Sequence, residues 1–230
     1  MTTARCGAVL FDLDGTLVDS APDLAGAAND LRASHGMPPL GLEALRPMVG
    51  AGARGMVGAA FGVTPGDARF EDLRDAFLAR YSERLLERTQ VFDGVEPMLR
   101  ALESVGMRWG IVTNKAARFT EPIVDGLALR LRASALVCGD TTPHSKPHPA
   151  PLLEAARQMG LQAAQCVYVG DDLRDVLANV QHRSLGTSGI DALSNPADRA
   201  KLAKFVASID ASTPTFPERT MNEAKPLCLP

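Results

Sequence analysis

Four short apolar runs, at residues 6–11, 107–112, 133–138 and 165–169, each end in polar or glycine-containing sequence. Helical patterns lie among them. Val95, Met98, Leu99, Leu102 and Val105 follow helix spacing, with Pro97 in the first turn and Gly106 as a stop. A second pattern runs from Pro151 to Met159 and closes at Gly160. Strand–helix–strand alternation at this pitch implies right-handed crossovers and a parallel sheet covered by helices. The expected fold class is α/β.

In open parallel sheets, ligands bind at the carboxyl ends of the strands, so chemistry is expected in whatever follows each run. The first run continues as Val9-Leu-Phe-Asp-Leu-Asp-Gly-Thr16 and delivers two aspartates, Asp12 and Asp14, separated by one residue. Residues two apart on a strand face the same way, so both carboxylates can enter one site. Such a pair repels itself and loses hydration, and it needs a cation, a proton or a bound ligand to offset that cost. A polar turn closing an ordinary strand would read the same over so short a stretch.

The later runs supply Thr113, Asn114 and Lys115, then Ser145-Lys-Pro147 ahead of the Pro151 helix, then Gly170-Asp-Asp172 with Asp175 three residues on. Singly, these are a common turn, a solvated lysine and a helix cap. Converging at one sheet edge, they make a set. Several carboxylates suit a hard divalent cation that keeps some water, which favours Mg²⁺. A metal beside an aspartate offsets the charge of an incoming phosphate, so that carboxylate can attack phosphorus. Thr113 and Lys146 can hold the charge spreading over the phosphoryl oxygens. A second carboxylate can protonate the leaving alcohol and later deprotonate water.

Between residues 17 and 90 the pattern changes. Leu24, Ala27, Ala28 and Leu31 share one helical face, as do Phe70, Leu73, Phe77, Leu78 and Tyr81, and no convincing strand is seen. The expectation is a helical subdomain, residues 18–92, inserted into a core made of residues 1–17 and 93–190, which the family resemblance described below makes a cap on a catalytic core. Gly50-Ala-Gly-Ala-Arg-Gly55 breaks the cap in its middle and lacks the preceding strand that a dinucleotide loop requires.

The whole-chain numbers narrow the partners. A length of 230 residues allows one large domain or two modest ones, and 46% apolar with 22% charged residues suits a globular protein. A net charge of −3 gives no reason to expect nucleic acid or an anionic membrane. The four cysteines have no CxxC spacing and read as free thiols. Too little sequence precedes the first strand for a signal peptide, and no run has the length of a membrane span. A cytoplasmic monomer or homodimer acting on a small phosphate ester is expected.

Asp12-Leu-Asp-Gly-Thr16, Thr113-Asn114, Lys146-Pro147 and Gly170-Asp-Asp-Leu-Arg-Asp175 together resemble the four ordered motifs of the haloacid dehalogenase-like superfamily. The resemblance implies a three-layer Rossmann-like core with strand order 5-4-1-2-3 and Mg²⁺-dependent aspartyl-phosphate chemistry. It implies Asp12 as nucleophile and Asp14 as general acid/base. Asp12, the Asp14 backbone carbonyl and Asp171 would hold Mg²⁺, supported by Asp172 or Asp175. Thr113 and Lys146 would bind the phosphoryl group, with Gly15, Thr16 and Asn114 beside them, and hinges would lie near 17–20 and 91–94.

Asp14 argues against the dehalogenases, and the lack of any lysine before Lys115 argues against a phosphonatase. Asp19-Ser-Ala-Pro-Asp23, Val112-Thr-Asn-Lys115 and Arg118-Phe119 resemble the phosphoglycolate phosphatase group. The stretches Gly52-Ala-Arg54, Trp109 to Lys115 and Arg118-Phe-Thr-Glu-Pro122 also resemble its relatives that act on N-acetylmuramic acid 6-phosphate. Arg54 is the cap residue expected to meet a substrate carboxylate. A catalytically weak phosphate-binding module is the reading from a different class. Residues 176–190 depart from the family pattern: the last edge strand is not recognisable there, and 191–230 read as a divergent, poorly ordered tail.

Overall fold

The computed structural model describes residues 6–171 together with 175 and 178. Asp172, the expected last edge strand and the expected tail lie outside the described residues. The first strand, β1 (Ala8–Phe11), leads through a tight turn to a two-residue strand, β2 (Val18–Asp19). The helices α1 (Ala21–Ser34), α2 (Leu42–Leu45), α3 (Gly52–Phe61) and α4 (Phe70–Ser82) follow. The chain returns through β3 (Gln90–Val91) and continues as α5 (Val95–Ser104), β4 (Arg108–Val112), α6 (Ala117–Gly126), β5 (Leu136–Val137), α7 (Ala150–Gln158) and β6 (Cys166–Val169).

The main sheet runs β5-β4-β1-β6 with every pairing parallel. Counting β1, β4, β5 and β6 as core strands one to four, this is the 4-1-2-3 part of the expected order. β1 is buried at every residue, as a parallel strand covered on both faces must be. Its period of two divides the core. Val9 and Phe11 join Trp109, Ile111, Val167 and Val169 beneath Leu99 and Leu102 of α5 and Ile123 and Val124 of α6. Ala8 and Leu10 join Val112, Val137 and Tyr168 beneath Leu152, Ala155 and Ala156 of α7. Three layers result.

Register then aligns the strand ends. Phe11 pairs with Ile111 on one side and Val169 on the other. Asp12 N–H donates to the Val169 carbonyl at 2.9 Å, and Thr113 N–H donates to the Val137 carbonyl at 2.9 Å. The residues that follow β1, β4 and β6 therefore emerge along one edge.

The segment read as strand-free contains strands at both of its ends. β2 and β3 pair antiparallel, Val18 with Val91 and Asp19 with Gln90, and close the neck of the helical insertion. Two-residue strands are too short to show an alternating pattern, which is why the sequence did not reveal them. Inside the insertion, Leu24, Leu31, Met56, Val57, Phe70, Phe77 and Tyr81 form a separate core. Asp23 clips that unit to its neck. Its buried carboxylate accepts the backbone N–H of Arg88 at 3.0 Å and both the N–H and hydroxyl of Thr89 at 2.7 Å. Asp23→Ala would strand those donors at the neck, and a loss of about 3 kcal/mol in urea unfolding is expected. A change below about 0.5 kcal/mol would contradict the clip.

Candidate active site

The turn after β1 is wound around one carbonyl. Leu13 O accepts the N–H groups of Thr16, Leu17 and Val18, while Gly15 N–H donates to Val18 O at 3.0 Å. This coil aims Asp12 and Asp14 back over the sheet. Gly15 sits at φ +83°, in the left-handed region, and a Cβ there would collide with the Asp171 carboxylate. Gly170 is bare for a related reason, since its Cβ would strike Asp175. The glycines of both loops are the space into which the neighbouring carboxylates fit.

Lys146 stands at the centre. Its side chain is 2% exposed, and its Nζ lies 3.0 Å from Asp12 Oδ1 and 2.8 Å from Asp175 Oδ1. It also donates to the Val112 carbonyl at 3.0 Å and reaches the Tyr168 hydroxyl at 2.7 Å. Burial alone would lower its pKa, but the charges of Asp12 and Asp175 outweigh burial and hold it above the ordinary lysine value. Asn114 fixes the lysine from behind. Its amide oxygen accepts Lys146 N–H at 2.8 Å and its amide nitrogen donates to Lys146 O at 2.9 Å. With both ends of the amide engaged, Asn114 positions Lys146, and it also lines the cavity beside it.

Asp14 faces elsewhere. Both of its carboxylate oxygens accept from Lys115 Nζ, at 2.9 and 3.0 Å, and Ser20 Oγ donates a very short hydrogen bond to the same carboxylate. The sequence sets Lys115 beside Thr113 and Asn114 without indicating its partner, and neither Ser20 nor Tyr168 stands out in it. A serine before a helix reads as a cap, and a tyrosine inside an apolar strand reads as core.

Asp12, Asp171 and Asp175 each bring an oxygen to within 4.8 Å of the others. Thr16 Oγ1 donates to Asp171 at 3.0 Å, which orients that carboxylate. Loss of water raises Asp12 to about 7; Asp175 and Asp171 add repulsion, and Lys146 only partly compensates. Desolvation, together with repulsion from Asp175, raises Asp171 to about 6. A trio of converging, underneutralised carboxylates is the donor set a hard divalent cation requires, so the residues fit Mg²⁺.

A cavity of about 330 Å³ opens above this set. Asp12, Asp14, Thr113, Asn114, Lys146 and Asp175 line its floor, and Gly50 to Ala53, Phe77 and Tyr81 of the insertion line its roof. Gly15 and Asp171 border a neighbouring cleft on the far side of the Asp12 loop. Arg54 is not brought in. Its side chain is exposed on α3, and the cavity is met instead by Gly52 and Ala53 at the start of that helix. The arginine that does line the cavity is Arg118, on α6, alongside Lys115 and Lys146.

Residues 9–182 match the family model described as haloacid dehalogenase-like hydrolase. The chain belongs to that family. It is an enzyme of the phosphoric monoester hydrolase kind, as its relatives indicate. An N-acetylmuramic acid 6-phosphate phosphatase of Pseudomonas aeruginosa is 45% identical over 176 residues, 76% of this chain and 78% of the relative. A phosphoglycolate phosphatase of Xanthomonas campestris pv. campestris is 48% identical over 186 residues, 81% of this chain and 82% of the relative. Among solved structures, a predicted phosphoglycolate phosphatase from Haemophilus somnus superposes with a TM-score of 0.67 at 28% identity, covering 76% of this chain and 81% of that one. Among the described residues, no helix of this hydrolase is long and apolar enough to cross a membrane.

The raised carboxylates set a pH dependence. In the unfolded chain they release their protons near 3.8, in the folded one near 6 to 7. Raising the pH through that window therefore puts repelling charge into the cluster and costs folded-state stability, and a divalent cation that binds the deprotonated form restores it. The rise in Tm caused by MgCl₂ is expected to be small near pH 5 and to grow between about pH 6 and 8 in differential scanning fluorimetry. A rise that is constant across that range would contradict the cluster's role.

Proposed function

We propose that this protein is a Mg²⁺-dependent phosphomonoesterase that hydrolyses a small phosphorylated carboxylic acid through an aspartyl-phosphate, with 2-phosphoglycolate as its substrate. The observation that carries the reading is the buried ion triad of Asp12, Lys146 and Asp175 at the carboxyl edge of the sheet, beside Asp171. Asp12, Asp171 and Asp175 would hold Mg²⁺, which when bound offsets the negative charge of the phosphoryl group. Asp172 stays in the ligand proposal on its motif position alone.

Each residue then has a task that its surroundings support. Lys146, held in place by Asn114 and Tyr168, presents its charge to the phosphoryl oxygens, joined by the Thr113 hydroxyl. An oxygen of Asp12 forms the bond to phosphorus while the ester bond to the alcohol breaks. Asp14 gives its proton to the departing alkoxide. It then takes a proton from the water that attacks the aspartyl-phosphate, releasing inorganic phosphate and restoring Asp12. Lys115 and Ser20 orient Asp14 for that work. Gly15 and Thr16 hold the loop and Asp171 around the phosphoryl position. We place the enzyme in the cytoplasm, where such metabolites occur.

One observation favours a second reading. The cavity's roughly 330 Å³ exceeds what a two-carbon ester needs and has room for a sugar, so N-acetylmuramic acid 6-phosphate is the alternative substrate. Turnover of p-nitrophenyl phosphate with Mg²⁺ is expected from the wild type and a loss of about 10³-fold or more from Asp12→Asn. Activity surviving in Asp12→Asn would sink the nucleophile assignment, and a wild type without turnover would leave only phosphate binding. Between the two substrates, a preference of about tenfold in kcat/KM, about 1.4 kcal/mol, decides.

A further inference from the structure

Two side chains of the cavity have binding capacity that the phosphoryl chemistry leaves unused. Tyr81, on α4, is 1% exposed, yet its hydroxyl makes no well-aligned hydrogen bond among the described residues, its nearest polar neighbour being the Lys115 ammonium already claimed by Asp14. Buried hydroxyls are almost always paired, so one left open at the wall of a ligand cavity points to a partner that arrives with the ligand. The ring itself is firmly placed. It stacks on Phe77 at 6.3 Å, leans on Phe119 of α6 at 5.5 Å, and carries the Lys115 ammonium 4.8 Å above its centre.

Arg118 packs against the same aromatic group, its guanidinium 4.5 Å over the Phe119 ring. Three cations line the cavity, and two are engaged: Lys146 by Asp12 and Asp175, Lys115 by Asp14. Arg118 forms no ion pair with any carboxylate among the described residues. Stacking on an aromatic face leaves the in-plane N–H fork of a guanidinium free to meet an anion. The rest of the wall nearby, Leu24, Val49, Phe77 and Leu78, is apolar. An anion entering there would find Arg118 and Tyr81 as its polar partners.

We infer that the Tyr81 hydroxyl and the Arg118 guanidinium form the subsite for a carboxylate on the organic part of the ester, making them the specificity residues of this enzyme. The inference rests on the phosphomonoesterase reading and adds the recognition element, replacing Arg54 in that duty. A site with a buried donor awaiting its acceptor discriminates strongly against analogues that lack the acceptor, because the donor then stays unpaired.

The test measures kcat/KM with Mg²⁺ on two ester pairs that differ in the carboxylate. One is 2-phosphoglycolate against ethyl phosphate. The other is N-acetylmuramic acid 6-phosphate against N-acetylglucosamine 6-phosphate, which lacks the lactyl acid. The wild type is expected to favour the acid in at least one pair by about tenfold or more. In that pair Tyr81→Phe and Arg118→Met should each lower the acid-to-neutral ratio about fivefold or more, and Arg118→Lys should lower it less than Arg118→Met. Tyr81→Phe removes a hydroxyl that makes no well-aligned hydrogen bond, so its Tm should fall little, and it decides the matter alone if an Arg118 variant fails to fold. An unchanged ratio, equal losses on both members of the pair, or a wild type indifferent to the carboxylate overturns the subsite while the phosphatase reading stands. A wild type that turns over none of the four esters overturns both.

Discussion

Asp12, Asp171 and Asp175 crowd one end of the sheet so closely that, without positive charge among them, their mutual repulsion would force the loops after β1 and β6 apart. The Lys146 ammonium is the charge the protein itself supplies. It is buried against two of the three carboxylates and has a carbonyl and a hydroxyl for its remaining contacts. Burying such a cluster is tolerable only when each charge is paired and each hydrogen-bonding position filled. Removing one member of a buried pair strands the other, typically at about 3–5 kcal/mol. The arrangement therefore acts on two links at once. It stabilises the packing of the loops, and it leaves the carboxylates two positive charges short of balance, which a divalent cation can supply.

Everything else at that edge serves to keep the ammonium in place. Lys146 is on a loop, which alone would hold it loosely. Asn114 removes that freedom by pairing with both backbone groups of Lys146, so the end of β4 and the loop before α7 move as one. Tyr168 enters from β6, donating toward the Val112 carbonyl at 3.0 Å and the Asp175 carboxylate at 3.1 Å. The parallel register of β1 with β4 and β6 brings these three supports to one height. Sheet topology thus sets the distances on which the electrostatics depend.

That logic explains which parts of the site were legible in the sequence. Asp12, Thr113, Lys146 and Asp175 follow apolar runs, and the strand-end rule locates them without any contact being known. The α1 and α4 faces were legible because three-to-four-residue spacing survives in Leu24, Leu31, Phe70 and Phe77. β2 and β3 were not, since two residues carry no period. Tyr168 was hidden because an aromatic inside Cys-Val-Tyr-Val satisfies strand and core alike, while its function resides in one atom at the ring's tip. Arg54 and Arg118 show the complementary limit. Both are exposed arginines early in a helix, and only the packing of α3 and α6 around the cavity brings Arg118 to its wall and leaves Arg54 off it.

The last constraint links the cap to the chemistry. Ser20 is the residue from which α1 begins, and its hydroxyl donates to Asp14. Lys115, which binds the same carboxylate, also lies over the ring of Tyr81 in α4. Asp14 is therefore fastened to the helical insertion from two directions, through the residue that opens α1 and through α4. Among the described residues, the partners of Asp12 and Lys146 all belong to the core. The division follows the demands of the reaction. Phosphorus must meet a nucleophile held rigidly by the sheet, whereas the proton must reach a leaving group whose shape varies with the substrate. Under the proposed mechanism, an acid/base residue coupled to the same helix that lines the cavity is placed where occupancy of that cavity bears on its orientation.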